Sequence, residues 1–488
     1  MKSTPHGPIQ YMSTSSGRRF PVWTECIPCV LILALFALFP NAAAAGDDNK
    51  KETIGEQALA IKDAETPAIK DAQASAIKEG EILSIDRCIA IALGRQPSIA
   101  AAGYTLDASK SRIGQAEAGY YPNIDLSGGY SRYKPAAASG GSTGLSAAAG
   151  KNGPPYDQYT GGATVRQNIY DFGRTSGQVD VSRSNAEASA FDLENTTIGV
   201  VYNVKLAYYS LVYAKKSSEV ALEMVSQYKK HLDQAKGFYS AGVKAKYDVT
   251  TAEVNLANSR VNLIKAENSV RTARVNLNNS IGMPAAPPFD VEDALTVEEF
   301  DLNLENALKT AFDNRPDMKS MRAKIKTAGL TVELKKKDYR PILSGSAAYN
   351  YAGETFPLEN GWSVGAQVTL PVFSGFLTKK QVEEARANLN AVRANEESLR
   401  QNVIADVQQS YLGVMEAKER IAAAGTALRQ AKENLDIANG RYDAGVGSPI
   451  EVTDAQTTYA NASMTYIQAT TDYKTARAGI VKAMGGKQ

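Results

Sequence analysis

The sequence predicts a mainly α chain with membrane β, laid out as a helix–strand–strand–helix–helix unit written twice. Three observations carry that expectation. The segment YSAGVKAKYDVTTA (residues 239–252) returns 203 residues later as YDAGVGSPIEVTDA (442–455), identical at seven of fourteen positions. Two runs, 174–238 and 376–442, contain no proline, and some ~65 residues at 1.5 Å each make a helical rod of roughly 100 Å. Ahead of each run stand segments that alternate apolar and polar residues with the period of a strand.

The N-terminus reads as a processing segment. Arg18 and Arg19 precede the apolar run CIPCVLILALFALF (26–39), which is followed by PNAAAAGDD. This is the pattern of a secretory signal over residues 1–45, too short for a spanning helix. Cleavage near Ala45 removes Cys26 and Cys29 and leaves Cys88 alone, so no internal disulfide is expected. Residues 46–80 form a polar leader in which AIKDA recurs at Ala60 and Ala68 and AIKE at Ala76; it suggests no function.

Composition narrows the chemistry. A formal net charge of +2 on 54 basic and 52 acidic residues gives no field for a nucleic acid. One of the two histidines lies in the signal segment, leaving His231 in a helical run, so neither a zinc cluster nor a Ser-His-Asp set is available. The triplet Asp171-Phe172-Gly173 has the letters of a kinase metal site but no accompanying H-R-D or phosphate loop. No enzyme, cofactor or metal is expected.

The duplication extends beyond the echo. At the 203-residue offset, Ala163, Val165, Ile169 and Tyr170 face Ala366, Val368, Val372 and Phe373, and Tyr208 faces Tyr411. Upstream the offset is 219, pairing Pro97 with Pro316, Pro122 with Pro341 and Tyr130 with Tyr349. The first copy is set at 81–282 and the second at 303–488, with a linker at 283–302 that contains MPAAPPFDVED. The sixteen extra residues of the first copy fall in a Gly/Ser/Ala/Pro loop at 134–158.

After each echo, a seam alternates large and small residues in steps of three and four. It runs through Val249, Ala252, Leu256, Ser259, Leu263, Ala266, Val270, Ala273 and Leu277, and again through Val452, Ala455, Tyr459, Ala462, Tyr466, Ala469, Tyr473, Ala476 and Ile480. Such a register packs helices as a coiled coil, and by itself fits a soluble stalk equally well. The strands add a different constraint. WSVGAQVTLPVF (362–373) puts Trp362, Val364, Ala366, Val368, Leu370 and Val372 on one face and Ser363, Gly365, Gln367 and Thr369 on the other. NIDLSGGYSRY (123–133) alternates in the same way. These segments have the length of a tilted membrane strand, and Tyr120, Tyr121, Tyr133, Tyr159, Tyr351, Trp362 and Phe373 sit where an interfacial aromatic girdle belongs. Alternation alone also fits an ordinary half-buried sheet. Four strands cannot close a barrel, and open edges find no water in lipid, so a membrane sheet of this kind must be shared between subunits.

In order, duplication and spacing the chain resembles the TolC-like outer membrane efflux proteins. ALGRQPSI (92–99) and AFDNRPDM (311–318) resemble that family's leading helices, and VRQNIYDFGR (165–174) and VTLPVFSGF (368–376) its strand-to-helix crossings. The resemblance implies a homotrimer in a Gram-negative outer membrane. Its four strands per protomer build a shared β-barrel in contact with outer-membrane lipid, above a long periplasmic α-helical barrel. It also implies partners: a periplasmic adaptor (membrane fusion) protein and an inner-membrane RND, ABC or MFS transporter, in tripartite efflux or type I secretion. By that resemblance the two echoes are helical tips at the periplasmic aperture. Glu451 and Asp454, with Tyr442 and the first copy's Asp248, would line the gate, while Gly242, Val243, Gly445 and Val446 would meet the adaptor. A tip arginine common in the family is replaced here by Gly447. The alternative is a periplasmic coiled-coil structural or adaptor protein without a pore. The exported cargo is not legible.

Overall fold

The structure, a computed structural model, describes residues 77–134, 154–296, 298, 300 and 302–486. The expected signal segment, almost all of the leader and most of the 134–158 loop lie outside the described residues. All of the described residues belong to the unit Ile69–Gln488.

Each copy opens with two short helices. The first copy has α1 (Ile85–Arg95) and α2 (Pro97–Glu117), and the second has α5 (Leu304–Asn314) and α6 (Pro316–Lys337). The sequence reading expects one leading helix per copy; the structure divides it. Gln96 and Arg315 each precede a proline, which drives them out of the helical region. They stand at ψ 120° and 122°, and Pro97 and Pro316 restart the chain at the first helical position. The side chains of Ser84 and Asn303 cap α1 and α5, accepting from Arg87 N and Glu305 N.

The strands follow as β2 (Asn123–Tyr133) with β3 (Tyr156–Tyr170) and β5 (Ile342–Gly353) with β6 (Glu359–Thr369); the rods are α3 (Arg174–Ser240) and α7 (Leu377–Asp443). At 67 residues each, the rods are about 100 Å long. Helices α4 (Lys246–Ser280) and α8 (Pro449–Ala483) return antiparallel to them. Both rods start from a pair of left-handed residues, Phe172 and Gly173 at φ 53° and 81° and Gly375 and Phe376 at 62° and 65°. The backbone turn is kept while glycine and phenylalanine exchange places. In the first copy the Asp171 carboxylate fills the vacancy at the helix start, accepting from the N–H groups of Gly173, Arg174 and Thr175. That contact is what the kinase-like triplet does here.

The four long strands form one antiparallel sheet in the order β2-β3-β5-β6. The register is what makes the sheet two-faced. Ile124, Val165, Ala347 and Val364 form one cross-strand row, and Leu126, Ala163, Tyr349 and Trp362 the next on the same face. On the opposite face Asp125, Thr164, Ala348 and Ser363 form a row, as do Ser127, Gly162, Asn350 and Gly361. Ring contacts gather at both ends of the sheet: Tyr130–Tyr159, Tyr133–Tyr156 and Tyr159–Phe356 at one, Tyr170–Phe172 and Phe373–Phe376 at the other. One expectation is corrected. The strand read as 362–373 begins earlier and stops at Thr369, because Pro371 has no N–H for the ladder. Val368 therefore lies near a strand end, and Val364 takes the middle.

Two homologous cores lie where the rods cross the short helices. In one, Val200, Val204, Tyr208, Leu211 and Leu277 pack with Cys88 and Ile91; in the other, Val403, Val407, Val414 and Ile480 pack with Ala307 and Ala311. Burial pushes the Cys88 thiol up to about 12, the behaviour of a core residue. An unforeseen parallel pair, β1 (Ile82–Leu83) with β4 (Asp290–Val291), ties part of the linker onto the first core. The Tyr208 hydroxyl lies 3.1 Å from the carbonyls of both Leu83 and Glu292. Phe289 and Val291 are buried there, so this stretch is packed chain as well as punctuation. Among the described residues no helix is long and apolar enough to cross a membrane.

The sheet register generates a paired test. Val364→Arg on the apolar face should cost about 2–4 kcal/mol near mid-bilayer, while Ser363→Arg on the other face should be tolerated. Urea unfolding of vesicle-reconstituted protein reads both; equal losses would mean that the two faces are wrongly assigned.

Candidate functional site

The two hairpin tips share a backbone and differ in chemistry. After Ala241 and Ala444, Gly242 and Gly445 take left-handed φ of 73° and 77°, which glycine adopts without a Cβ penalty. Gly242 N donates to Tyr239 O and Val243 N to Phe238 O; Gly445 N donates to Tyr442 O and Val446 N to Arg441 O. These paired bonds close each rod by satisfying its last carbonyls. Val243 and Val446 are left 63 % and 70 % exposed at the reversal, with Tyr247 and Ile450 exposed one turn on.

The second tip is the tighter. Gly447 N reaches Arg441 O at 2.9 Å, whereas the matching Lys244 N stands 3.4 Å from Phe238 O. A Cβ on Gly447 would come within 2.7 Å of Tyr442 N and 2.9 Å of Arg441 C. Both are backbone atoms, so the site has no room for a side chain. The second tip also has its helix better started, with Ser448 Oγ accepting from Ile450 N and Pro449 at the first helical position.

The acidic residues occupy distinct surroundings. Glu451 stands 3.3 Å from Arg441 Nε across the turn, with both side chains about half exposed. Asp454 is exposed one turn further along α8, and Asp248 is half-buried in the first turn of α4. Around the first turn stand Lys236, Lys244 and Lys246 against Asp248 and Glu253, the last paired with Lys236 at 3.6 Å. Around the second, Arg441 stands against Asp443, Glu451 and Asp454. The first tip carries a small excess of positive charge and the second an excess of negative charge.

Tyr442 is placed in a protein interior. It is 1 % exposed and packs between the hairpins, with ring centroids 4.9 Å from His231 and 5.4 Å from Phe238. Lys244 Nζ lies 6.0 Å from its ring. Beside it, Gln234 Nε2 donates to Asp443 Oδ1 at 2.6 Å. Burial, reinforced by the charges of Asp248 and Asp443, raises the Tyr442 hydroxyl above the usual phenol range. The seam between the hairpins is thus made by His231, Gln234 and Phe238 of α3 against Tyr442 and Asp443 of α7. Sequence reading missed Arg441, although its position mirrors that of Glu451 about Val446. It also missed His231 as a contact residue, for which no local pattern exists. Among the described residues no group of acidic, histidine and cysteine side chains is arranged to hold a metal ion.

The model of the family described as "Outer membrane efflux protein" matches residues 88–283 and 307–486. Protein CyaE of Bordetella pertussis is 24 % identical over 83 % of the chain and 84 % of its own length. Toxin and drug export protein A of Aggregatibacter actinomycetemcomitans is 22 % identical over 67 % and 73 %. Among solved structures, the Campylobacter jejuni CmeC outer membrane channel superposes with a TM-score of 0.71 at 19 % identity, covering 82 % of this chain and 85 % of that one. The open state of the Neisseria gonorrhoeae MtrE outer membrane channel gives 0.68 at 19 %, covering 82 % and 89 %.

Gly447→Arg should force the second tip apart, because its Cβ meets backbone rather than a yielding side chain; overpacking of this kind costs about 1–3 kcal/mol. Limited proteolysis should show faster cleavage near residue 447, with Lys244→Arg at the matching place unchanged. Equal resistance in both variants would show that the crowding at Gly447 is relieved without opening the turn.

Proposed function

The chain belongs to the outer membrane efflux protein family, and from that premise we propose that it is a passive exit duct whose hairpin tips form both the gate and the docking surface. The family comprises outer-membrane transport channels, homotrimers that work with periplasmic adaptors and inner-membrane pumps. The observation that carries the reading for this chain is the sheet, with one apolar face, one polar face and two open edges. A coiled-coil adaptor without a pore has no use for such a sheet. The duct performs no chemistry of its own; the pump selects the cargo, and a relative named for toxin and drug export makes those two cargo classes the first to test. Heat-modifiable, trimer-sized migration from the outer-membrane fraction tests the reading, and recovery as a soluble periplasmic protein would end it.

At the mouth, three chains would bring Glu451 and Asp454 together. Two carboxylates about 8 Å apart repel by roughly 0.5 kcal/mol in water, and by more where walls exclude solvent. Such a ring draws cations, and multivalent ones bind several carboxylates at once. Arg441 offsets part of the Glu451 charge, which leaves Asp454 the freer acid. The exposed valines at the reversals suit the apolar apex of an adaptor hairpin.

In planar bilayers the channel should be cation-selective and blocked by trivalent cations from the periplasmic side. Glu451→Gln with Asp454→Asn should relieve the block, Asp454→Asn alone more than Glu451→Gln alone, and Asp233→Asn not at all. A block unchanged in the double variant would reduce the two acids to partners of the α8 dipole. Val243→Asp and Val446→Asp should leave trimers in the membrane yet abolish export. Failure to form trimers would assign these residues to assembly instead.

A further inference from the structure

We propose that His231 is a proton-operated latch that holds the two hairpins of each protomer together when neutral and releases them when charged. The inference rests on reading the tips as the mouth of a channel. His231 is 3 % exposed in the middle of a seam between two separate hairpins, its ring packed against that of Tyr442 with centroids 4.9 Å apart and planes tilted by 53°. Its Nδ1 is buried with no hydrogen-bond partner among the described residues, and the Tyr442 hydroxyl beside it is buried and unpartnered among them as well. A neutral imidazole bears this at the modest cost of one unpaired acceptor nitrogen, while its ring packs as an aromatic. An imidazolium carries N–H donors on both nitrogens, and an unpaired charge is far more costly to bury than an unpaired neutral group.

The groups facing the seam do not rescue the charged form. From α4, Asp248 favours it; from the first turn, Lys244 opposes it. Across the seam α7 offers Tyr442 and Asp443, the latter already accepting from Gln234, and on α8 Glu451 is paired with Arg441. Burial outweighs Asp248 and lowers the His231 pKa below the ordinary imidazole value. The sign follows: with the pKa lower in the closed seam than in an open, hydrated one, closure is fully supported above the open-state value. It is lost as pH falls toward the closed-state value. The matching position in the second copy is Asn434, which is exposed, so each protomer carries one latch.

The test uses the trimer with residues 1–45 removed, in which His231 is the sole histidine and a ring-labelled sample gives one signal. Three readouts are taken from pH 8 to pH 4: the His231 ring signal, the distance between spin labels on Ser240→Cys and Ala444→Cys, and single-channel conductance in the Glu451→Gln, Asp454→Asn background. The expected result is that the ring titrates below the usual imidazole range while the labels move apart. Between the two pKa values the open-to-closed ratio should rise by up to about ten-fold per pH unit for each latch. His231→Phe, which keeps an aromatic in the seam, should lose both the widening and the conductance rise. Widening that persists in His231→Phe, a ring that titrates without widening, or a wild type with no acid response would each overturn the latch. If His231→Phe fails to assemble, coincidence of ring titration and widening in the wild type decides. A protein that never conducts but widens with its histidine keeps the latch and loses the channel.

Discussion

An unpaired strand edge cannot face hydrocarbon, and most of this molecule follows from that. The sheet β2-β3-β5-β6 ends at β2 on one side and β6 on the other, and each edge bears a row of N–H and C=O groups that lipid cannot satisfy. Pairing β6 of one protomer with β2 of the next is a head-to-tail contact, and such contacts close only as rings. The homotrimer of the family is the ring that closes here. Duplication serves the same end: β3 and β5 pair across the two copies, so each protomer supplies a ready-made block of four strands.

Below the sheet the two copies keep one backbone and divide the side-chain work. Rods, returns and tips recur at a constant offset, yet glycine and phenylalanine trade places at the strand-to-helix turn. Tyr442 is sealed in the seam while its counterpart Tyr239 stands half exposed. Conformational constraints act on the backbone and are met twice in the same way. Contacts between the hairpins are made once, so only one member of each residue pair is bound by them.

How much was legible in the sequence divides along the same line. The rods, the seam through Val249 to Leu277 and its repeat, and the strand alternation are periodic signals that depend on local geometry alone, and the structure follows them closely. The break at Gln96–Pro97 was legible in principle, since proline restricts the residue before it. The end of β6 was misplaced because apolar alternation continues through Leu370 and Val372 after the ladder has stopped at Pro371. At the site, the turn glycines and the acidic first turns could be read from the echo. The burial of Tyr442 could not, because it is created by His231 and Phe238, more than two hundred residues away in the chain. The β1–β4 pair was invisible for the same reason, two residues being too few to carry a period.

The contrast in charge between the tips has a consequence for symmetry. In the family's homotrimer, three chains with two hairpins each would present six tips, and their common backbone would make a near six-fold crown. An excess of lysine on one kind (Lys236, Lys244 and Lys246 against Asp248 and Glu253) and of carboxylate on the other (Asp443, Glu451 and Asp454 against Arg441) would divide that crown into two interleaved triangles of opposite sign. A partner that reads only main-chain shape meets six equal seats. A partner that reads charge meets three of one kind and three of another, and identical subunits placed on all six must satisfy two unlike neighbours with one surface.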